Sequence, residues 1–360
     1  MTIPPEKEAY ALKVPRKLGE KAIRLVSRLG LLNRDLKVES TGEYLYVPLN
    51  HKPDSAGTKE IAETLARYEI LIKNFSRRNK APRSALDAAA DMLPPHLLAN
   101  FPRSIDIIGE VAIVKIPPEL EKYKEIIGKA ILQAHKHVRT VLAKSGPVRG
   151  IKRLREYERI AGSGGTETTH REHGCTYHLD VKKVYFSPRL SHEHLRVASQ
   201  VRANETVIDM FAGVGPFSIL IAKMRKDVKV YAIDVNPEAV RYLERNVIAN
   251  GVSDRVVPIL GDAEKVIRER LRGISDRVIM NLPEKAYKYL DVACEAMKFE
   301  GGIIHYYTFA GEPNPIRKAE REFIEALIGT DREVDHIITR RKVREVAPGR
   351  WQVAIDAKIK

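Results

Sequence analysis

Four polar residues stand at the C-terminal ends of four successive apolar runs: Asp209 after "TVI", Asp234 after "VYAI", Asp262 in "LGD" and Asn281 after "VIM". Between the first acid and the next helix-like stretch, the turn "DMFAGVGPF" carries Gly213 and Gly215 one residue apart. Glycine lets backbone approach a ligand where a Cβ would collide. In an open α/β sheet such strand ends converge on the ligand crevice, where Asp234 can accept from ribose hydroxyls and Asp262 from the amine of adenine. An adenosine-like ligand follows. A helix N-cap explains each acid singly, but that reading has to hold at four consecutive strand ends.

The turn lacks the third glycine of G-x-G-x-x-G, which packs helix on strand in dinucleotide folds; Phe217 and Ser218 follow instead. The fourth run ends in "NLP" (Asn281 to Pro283), an amide followed by a rigid proline. A nicotinamide site has no need of such a tip. Methyltransferases using S-adenosylmethionine (SAM) place similar tips beside the methyl group.

Positioning these residues requires strands that alternate with helices. From about Val197 the pattern does so: strands "ETVIDMF", "KVYAIDV", "VVPILGD", "DRVIMNLP" and "GGIIHYYTF" alternate with helical stretches such as "PFSILIAKMR" and "NPEAVRYLERNVIANG". Repeated β-α alternation argues a parallel, doubly wound sheet. A helix is expected from about Asn314 to Ile328, and "DHIITRRKVREVAP" with "RWQVAIDAKI" forms an antiparallel edge. Two smaller α+β units precede this sheet. The first has a strand at Tyr10–Pro15, a helix in "KLGEKAIRLVSRLGLL", two strands around "TGE", and a helix "TKEIAETLARYEILIKNF". After the basic linker "SRRNKAPRS", the second has two short strands around Gly109 and a long helix over roughly 119–143. A basic loop, "KSGPVRGIKRLREYERIAG", and strands around "ETTHREHGCTYHLDV" complete it. The boundaries are 1–80, 81–182 and 183–360.

With 44% hydrophobic and 30% charged residues over 360 positions, the composition is globular. No apolar run approaches the roughly 18 residues of a membrane span, no signal-peptide core opens the chain, and the expected location is the cytoplasm. Two distant cysteines offer neither a disulfide framework nor a zinc site. The histidines His170, His173 and His178 alternate along strands without a ligand pattern, so no metal is expected. A net charge of +15 points to a polyanion, most often nucleic acid. The basic stretches "SRRNKAPRS", "SGPVRGIKRLR" and "TRRKVR" (Thr339–Arg344) are the candidate contacts.

On the blocks "REYERIAG", "TTHREHGCTYHLDVKKVYFSPRL", "VIDMFAGVGPFSI", "YAIDVNPEAV" and "DRVIMNLPEKA", the chain resembles the archaeal and eukaryotic tRNA (guanine-N1)-methyltransferases. Those enzymes act on the guanine at tRNA position 37. The resemblance covers essentially the whole chain. It implies a Rossmann-like class I methyltransferase domain preceded by two smaller α+β domains, SAM as cofactor, and tRNA as partner of a monomer. The related aminocarboxypropyl transferases of wyosine synthesis are the alternative activity, and a tRNA-binding protein with an inactive SAM fold the non-enzyme alternative. Some archaeal members also methylate a carbon of the wyosine precursor.

Guanine N1 carries a proton at neutral pH, so methylation there needs a base, and a cation or donor near O6 to receive the developing charge. The resemblance assigns the base to Glu193 in "SPRLSHEHLR" and the cation to Arg153, with Arg155 as fallback. Asn281 would orient the base or the methionine end of the cofactor. The cofactor set comprises Asp209, Phe211, Gly213, Gly215, His194, Asp234, Val235, Asp262, Ala263, Asn281 and Pro283. The family usually has arginine after the catalytic glutamate, where this chain has His194; a histidine can bond there, but its charge depends on pH. Arg189 would pair with a carboxylate or phosphate. Tyr177 would stack on a base or pack in the core.

Overall fold

The structure, a computed structural model, describes residues 6–77, 82, 84–90, 92–146 and 156–360. The chain divides into two compact units, 1–82 and 83–360.

In the first unit, β1 (Lys7–Pro15), α1 (Gly19–Arg28), β2 (Glu39–Thr41), β3 (Tyr44–Leu49), α2 (Ser55–Thr64) and β4 (Glu69–Phe75) form an antiparallel sheet in the order β2-β3-β1-β4. α1 buries Ala22, Leu25 and Val26, one stripe at helical spacing, among Leu12, Val47 and Leu49. The stretch "EILIKNF", expected to continue a helix, is instead β4, paired with β1. A strand partner outweighs helical spacing there, and the β-branched pattern favours the sheet.

The second unit opens with α3 (Ala85–Ala90), β5 (Ile105–Ile108), β6 (Val111–Val114), α4 (Lys124–Ala134), β7 (Thr140–Lys144) and β8 (Tyr157–Gly162). These strands form the sheet β5-β6-β7-β8, with β6 and β7 parallel. The helix expected over 119–143 is therefore shorter. It ends at Ala134, and Thr140–Lys144 is a nearly fully buried strand. A parallel partner needs such a crossover, and Val138, Thr140 and Val141 suit the strand that follows. "YERIAG", read as loop, is β8. A hairpin of β9 (Glu167–Glu172) and β10 (Cys175–Asp180) leads into the large sheet.

There the alternation holds: α5 (Ser191–Gln200), β11 (Thr206–Asp209), α6 (Pro216–Met224), β12 (Lys229–Asp234), α7 (Pro237–Ala249), β13 (Val256–Leu260), α8 (Ala263–Val266), β14 (Arg277–Met280), α9 (Leu290–Ala296), β15 (Gly302–Gly311), α10 (Pro315–Leu327), β16 (Val334–Ala347) and β17 (Arg350–Ile359). The order is β13-β12-β11-β14-β15-β17-β16; the first five strands are parallel and the last two antiparallel. One apolar core joins one face of this sheet to α6, α7, β10 and parts of β6 and β7, and a second lies under α9 and α10. No helix among the described residues is long and apolar enough to cross a membrane.

Candidate active site

Strand order reverses between β11 and β14, which are direct neighbours. The crevice at their C-terminal ends is where an open sheet of this kind takes a ligand. A cavity lies there, lined by Phe211, Gly213, Asp234, Val235, Asp262, Ala263, Asn281 and His194, all of them expected, and by Tyr185, Phe186, Ser187, Phe217, Asn236 and Tyr289, which were not. The missed aromatics Tyr185 and Phe186 sit in "KVYFSPRL", where two adjacent rings on a short connector were the available signal.

The turn after β11 is held by its own backbone. Gly213, at φ +57°, donates its N–H to Asp234 Oδ2 at 2.8 Å, and Asp234 Oδ1 accepts from the Asn236 N–H at 2.8 Å. Burial pushes the Asp234 carboxyl up, opposed by those N–H groups. A Cβ at Gly213 would stand 3.7 Å from the Tyr185 carbonyl and otherwise in the open cavity. Gly215 has a different task and lies off the cavity wall. At φ +91° it caps α6, and a Cβ there would strike Leu243 Cδ1 at 2.4 Å, so it sets how α6 packs on α7. Asp262 is a helix N-cap, its Oδ1 accepting from the N–H groups of Glu264 and Lys265 at 3.0 and 3.2 Å at the start of α8, and it also lines the cavity.

Asp209 lies beneath this wall rather than on it. It is fully buried and accepts from Ser218 Oγ at 2.8 Å, while Oδ1 has no hydrogen-bond partner. Burial pushes its carboxyl up to about 7, against the hydrogen bonds from Ser218 and the Phe211 N–H. Pro283 is also buried off the wall, and its carbonyl accepts from the Phe309 N–H at 3.3 Å. Tyr177 is core: its ring is wholly buried beside Phe186, and its hydroxyl donates to the Pro216 carbonyl at 3.3 Å. It reaches neither cavity.

His194 enters the cavity from α5. Its Nδ1 is 2.6 Å from Glu172 Oε1 and its ring stands edge-on to Phe217 at 4.6 Å. Burial works to raise the Glu172 carboxyl, but His170, 3.6 Å away, and His194, hydrogen-bonded to it, prevail and bring it down to about 2. The imidazole in the family's arginine position thus has an acid of its own.

Glu193, one residue earlier, is turned about 100° around the helix and lines neither cavity. It is buried to 1% exposure; Oε2 accepts from Arg196 Nε at 2.9 Å and from the Tyr307 hydroxyl at 3.0 Å, and Oε1 lies 3.2 Å from Arg341 Nη1 without a hydrogen bond. Arg196 in turn bonds Asp356, which also takes His305 Nδ1 at 2.8 Å and Gln200 Nε2 at 3.2 Å. Arg277 Nη1 stands 2.7 Å from His305 Nε2. Arginine only donates, so Nε2 accepts, Nδ1 carries the hydrogen, and His305 is neutral. Burial, which lowers the pKa of His305, agrees. No sequence signal announced this chain of partners.

A second cavity of about 390 Å3 adjoins the first through Tyr185, Phe186 and Ser187. Lys144, Arg189, Arg344 and Arg350 line it with Asp106, Glu284 and Glu345. Arg189 bonds Asp106 Oδ1 and Ser104 Oγ, both at 2.5 Å. Burial works against the Asp106 carboxylate, yet Lys144 and Arg189 lower its pKa overall. In the basic stretch of β16, Arg340 pairs with Glu320, Arg341 with Glu193 and Lys342 with Glu312. Arg153, Arg155 and most of the loop that carries them lie outside the described residues.

Three family models match in succession: the tRNA methyltransferase 5 N-terminal domain over residues 11–57, the TYW2 N-terminal domain over 86–166, and the TRM5/TYW2 methyltransferase domain over 168–334. The chain is 40% identical over 356 residues to tRNA (guanine(37)-N(1))-methyltransferase Trm5b of Pyrococcus abyssi, covering 97% of this chain and 98% of that protein. The chain belongs to the TRM5/TYW2 family.

Within that family it is also similar to tRNA 4-demethylwyosine(37)-methyltransferase Taw21 of Saccharolobus solfataricus, at 40% identity over 71% of this chain and 94% of that protein. The solved complex structure of aTrm5 and tRNALeu matches with a TM-score of 0.82 and 35% identity, over 97% of this chain and 99% of that one. The TRM5/TYW2 methyltransferase model ends at residue 334, the first of β16, short of Arg341, Gln352 and Asp356 on β16 and β17.

Proposed function

We propose that the chain transfers the methyl group of SAM to N1 of guanine 37 in tRNA. The observation that carries this reading is the switch-point cavity with Asp234, Asp262 and Asn281 at three strand ends, opening beside a second cavity whose wall carries four basic side chains among three acids. The end-to-end likeness to a guanine-37 N1-methyltransferase supports it. The residues suit the cofactor: Asp234 and Asp262 put carboxylates on the wall that can accept from ribose hydroxyls and an amine, Phe211 and Val235 offer apolar faces, and the Gly213 position leaves room that a Cβ would fill. When bound, SAM supplies an electrophilic methyl with its own leaving group.

The chain's part is to orient the base and manage one proton. Glu193 is the base of this reading. Oε2 is held by Arg196 and Tyr307, and Oε1 lies 3.2 Å from Arg341. The side chain, buried off both cavities, therefore has to turn out of this ion pair before Oε1 takes the N1 proton. Arg153 serves as the cation near O6, and Asn281 stands at the junction of the two groups. His194 and its Glu172 partner hold the methionine end. The basic second cavity, with Arg189 and Arg344, takes the nucleotide, whose base must leave its stack to enter. The chain is read as a tRNA-recognition part (1–80), a middle part (81–182) and the SAM part (183–360), although the methyltransferase model begins at residue 168, inside the middle part. Such an enzyme works in the cytoplasm.

A second reading, favoured by the likeness to Taw21, adds C7 methylation of 4-demethylwyosine at the same nucleotide. Mass spectrometry of nucleosides from treated tRNA tests the proposal. N1-methylguanosine is expected; an aminocarboxypropyl adduct, or no product, would overturn it.

A further inference from the structure

Among the described residues the Asn281 amide has one hydrogen-bond partner, and that partner fixes which way round the amide lies. Gln352 sits on β17 with 1% exposure, opposite Phe309 of β15 and Arg344 of β16. Its Oε1 is 2.9 Å from Arg344 Nε and its Nε2 is 3.3 Å from Asn281 Oδ1. An amide can be placed either way round on shape alone, so the neighbours have to decide it. Arginine has five N–H donors and no acceptor, so the Gln352 atom that faces Arg344 must be oxygen. The atom facing Asn281 is then the NH2 group, and Asn281 must answer with Oδ1. That leaves the Asn281 NH2 group, which bonds no protein atom among the described residues, on the cavity wall. Arg344 cannot easily swing away from this task. Its Nη1 donates to Ser187 Oγ at 2.6 Å and its Nη2 to the Tyr185 hydroxyl at 3.0 Å.

A donor at this strand tip selects the chemistry of the acceptor group. A nucleobase that is methylated on an exocyclic amine presents N–H, and would need an oxygen from Asn281. A lactam, N–H beside C=O, gathers negative charge on its oxygen as the ring nitrogen loses its proton, and that oxygen needs a donor. We propose that Gln352 is a positioning residue which, anchored by Arg344, holds Asn281 as a hydrogen-bond donor toward the carbonyl oxygen of a lactam base. The inference rests on the guanine-N1 reading and deepens it. It assigns to the C-terminal hairpin the choice between lactam and amine.

Gln352→Glu tests it. The carboxylate still accepts from Arg344 but has no donor for Asn281, so the Asn281 amide turns over and shows its oxygen to the base. Methylation of a guanine-37 transcript at saturating SAM is measured beside calorimetric SAM binding. The expected result is a kcat lower by roughly tenfold or more, with SAM affinity unchanged, and no further loss when the same substitution is made in Asn281→Ala. Unchanged kcat in the folded variant, an equal loss in both backgrounds, or a loss confined to SAM affinity overturns the proposal. Should the glutamate variant not fold, Gln352→Met, which removes both bonds at similar volume, decides: lower kcat dependent on Asn281 supports it, and unchanged kcat overturns it. Failure of the guanine-N1 reading itself is distinguishable, because the unsubstituted protein would then give no N1-methylguanosine.

Discussion

The cavity wall and the Glu193 cluster behind it are held by different means. At the two strand-end acids of the cavity wall the partners are backbone groups close at hand: Asp234 takes the N–H of Asn236, and Asp262 the N–H groups of Glu264 and Lys265, although His194 on the same wall relies on the Glu172 side chain. At Asn281, and in the Glu193 cluster, the partners are side chains, from α5 itself and from distant strands. Arg196 reaches Asp356, Tyr307 reaches Glu193, and Gln352 reaches Asn281. Backbone partners cannot be substituted away, so the two strand-end acids withstand change at a distance. A side-chain network is coupled, and loses more than the sum of its pairs when one member goes.

The largest expected effect is in the coupled cluster. Glu193→Gln lowers kcat by roughly 10²- to 10⁴-fold while SAM affinity, read by calorimetry, stays put. Asp356→Asn, two bonds away, lowers kcat in the same direction, and adds nothing once Glu193→Gln is present. Additive losses would mean that Asp356 serves the fold alone, and would break the contrast between wall and cluster. Next in size, Asp234→Ala weakens SAM binding about 10- to 100-fold. An unaltered affinity would remove Asp234 from the cofactor wall.

Beneath that wall, Asp209 gives a pH dependence. Its pKa rises from an ordinary carboxylate value in the unfolded chain to about 7 in the folded protein. The folded state therefore binds more protons between pH 4 and 7, and stability falls as pH rises through that window. Asp209→Asn should flatten this slope and raise stability at pH 8 by at least on the order of 1 kcal/mol, as read from denaturant melts at several pH values. A slope that survives the substitution would place the titrating group elsewhere. The smallest effect is that of Tyr177→Phe, less than about 1 kcal/mol with kcat intact. A clear loss of kcat would return Tyr177 to the substrate.

The same contrast explains what could be read in advance. Gly213, Asp234, Asp262 and Asn281 were legible because a strand end and its turn are local, and the residue types there have few uses. Gly215 looked like a ligand glycine because its left-handed turn is written in sequence, while the Leu243 contact that requires it is not. The parallel sheet and its antiparallel edge followed from β-α alternation. The strand at Thr140–Lys144 was hidden because its partner, β6, lies across a helix. Asp356, Gln352, Tyr307 and Arg196 carried no signal. Their meaning lies in pairings between distant elements, such as Arg196 of α5 with Asp356 of β17, which are separated by 160 positions.

The central claim is that this cavity delivers a methyl group to a guanine lactam at tRNA position 37. Incubation with methyl-labelled SAM and two tRNA transcripts, one with guanine and one with adenine at position 37, tests it most directly. Label on the guanine transcript alone, recovered as N1-methylguanosine, is the expected result. Equal labelling of both transcripts, or of neither, would contradict it.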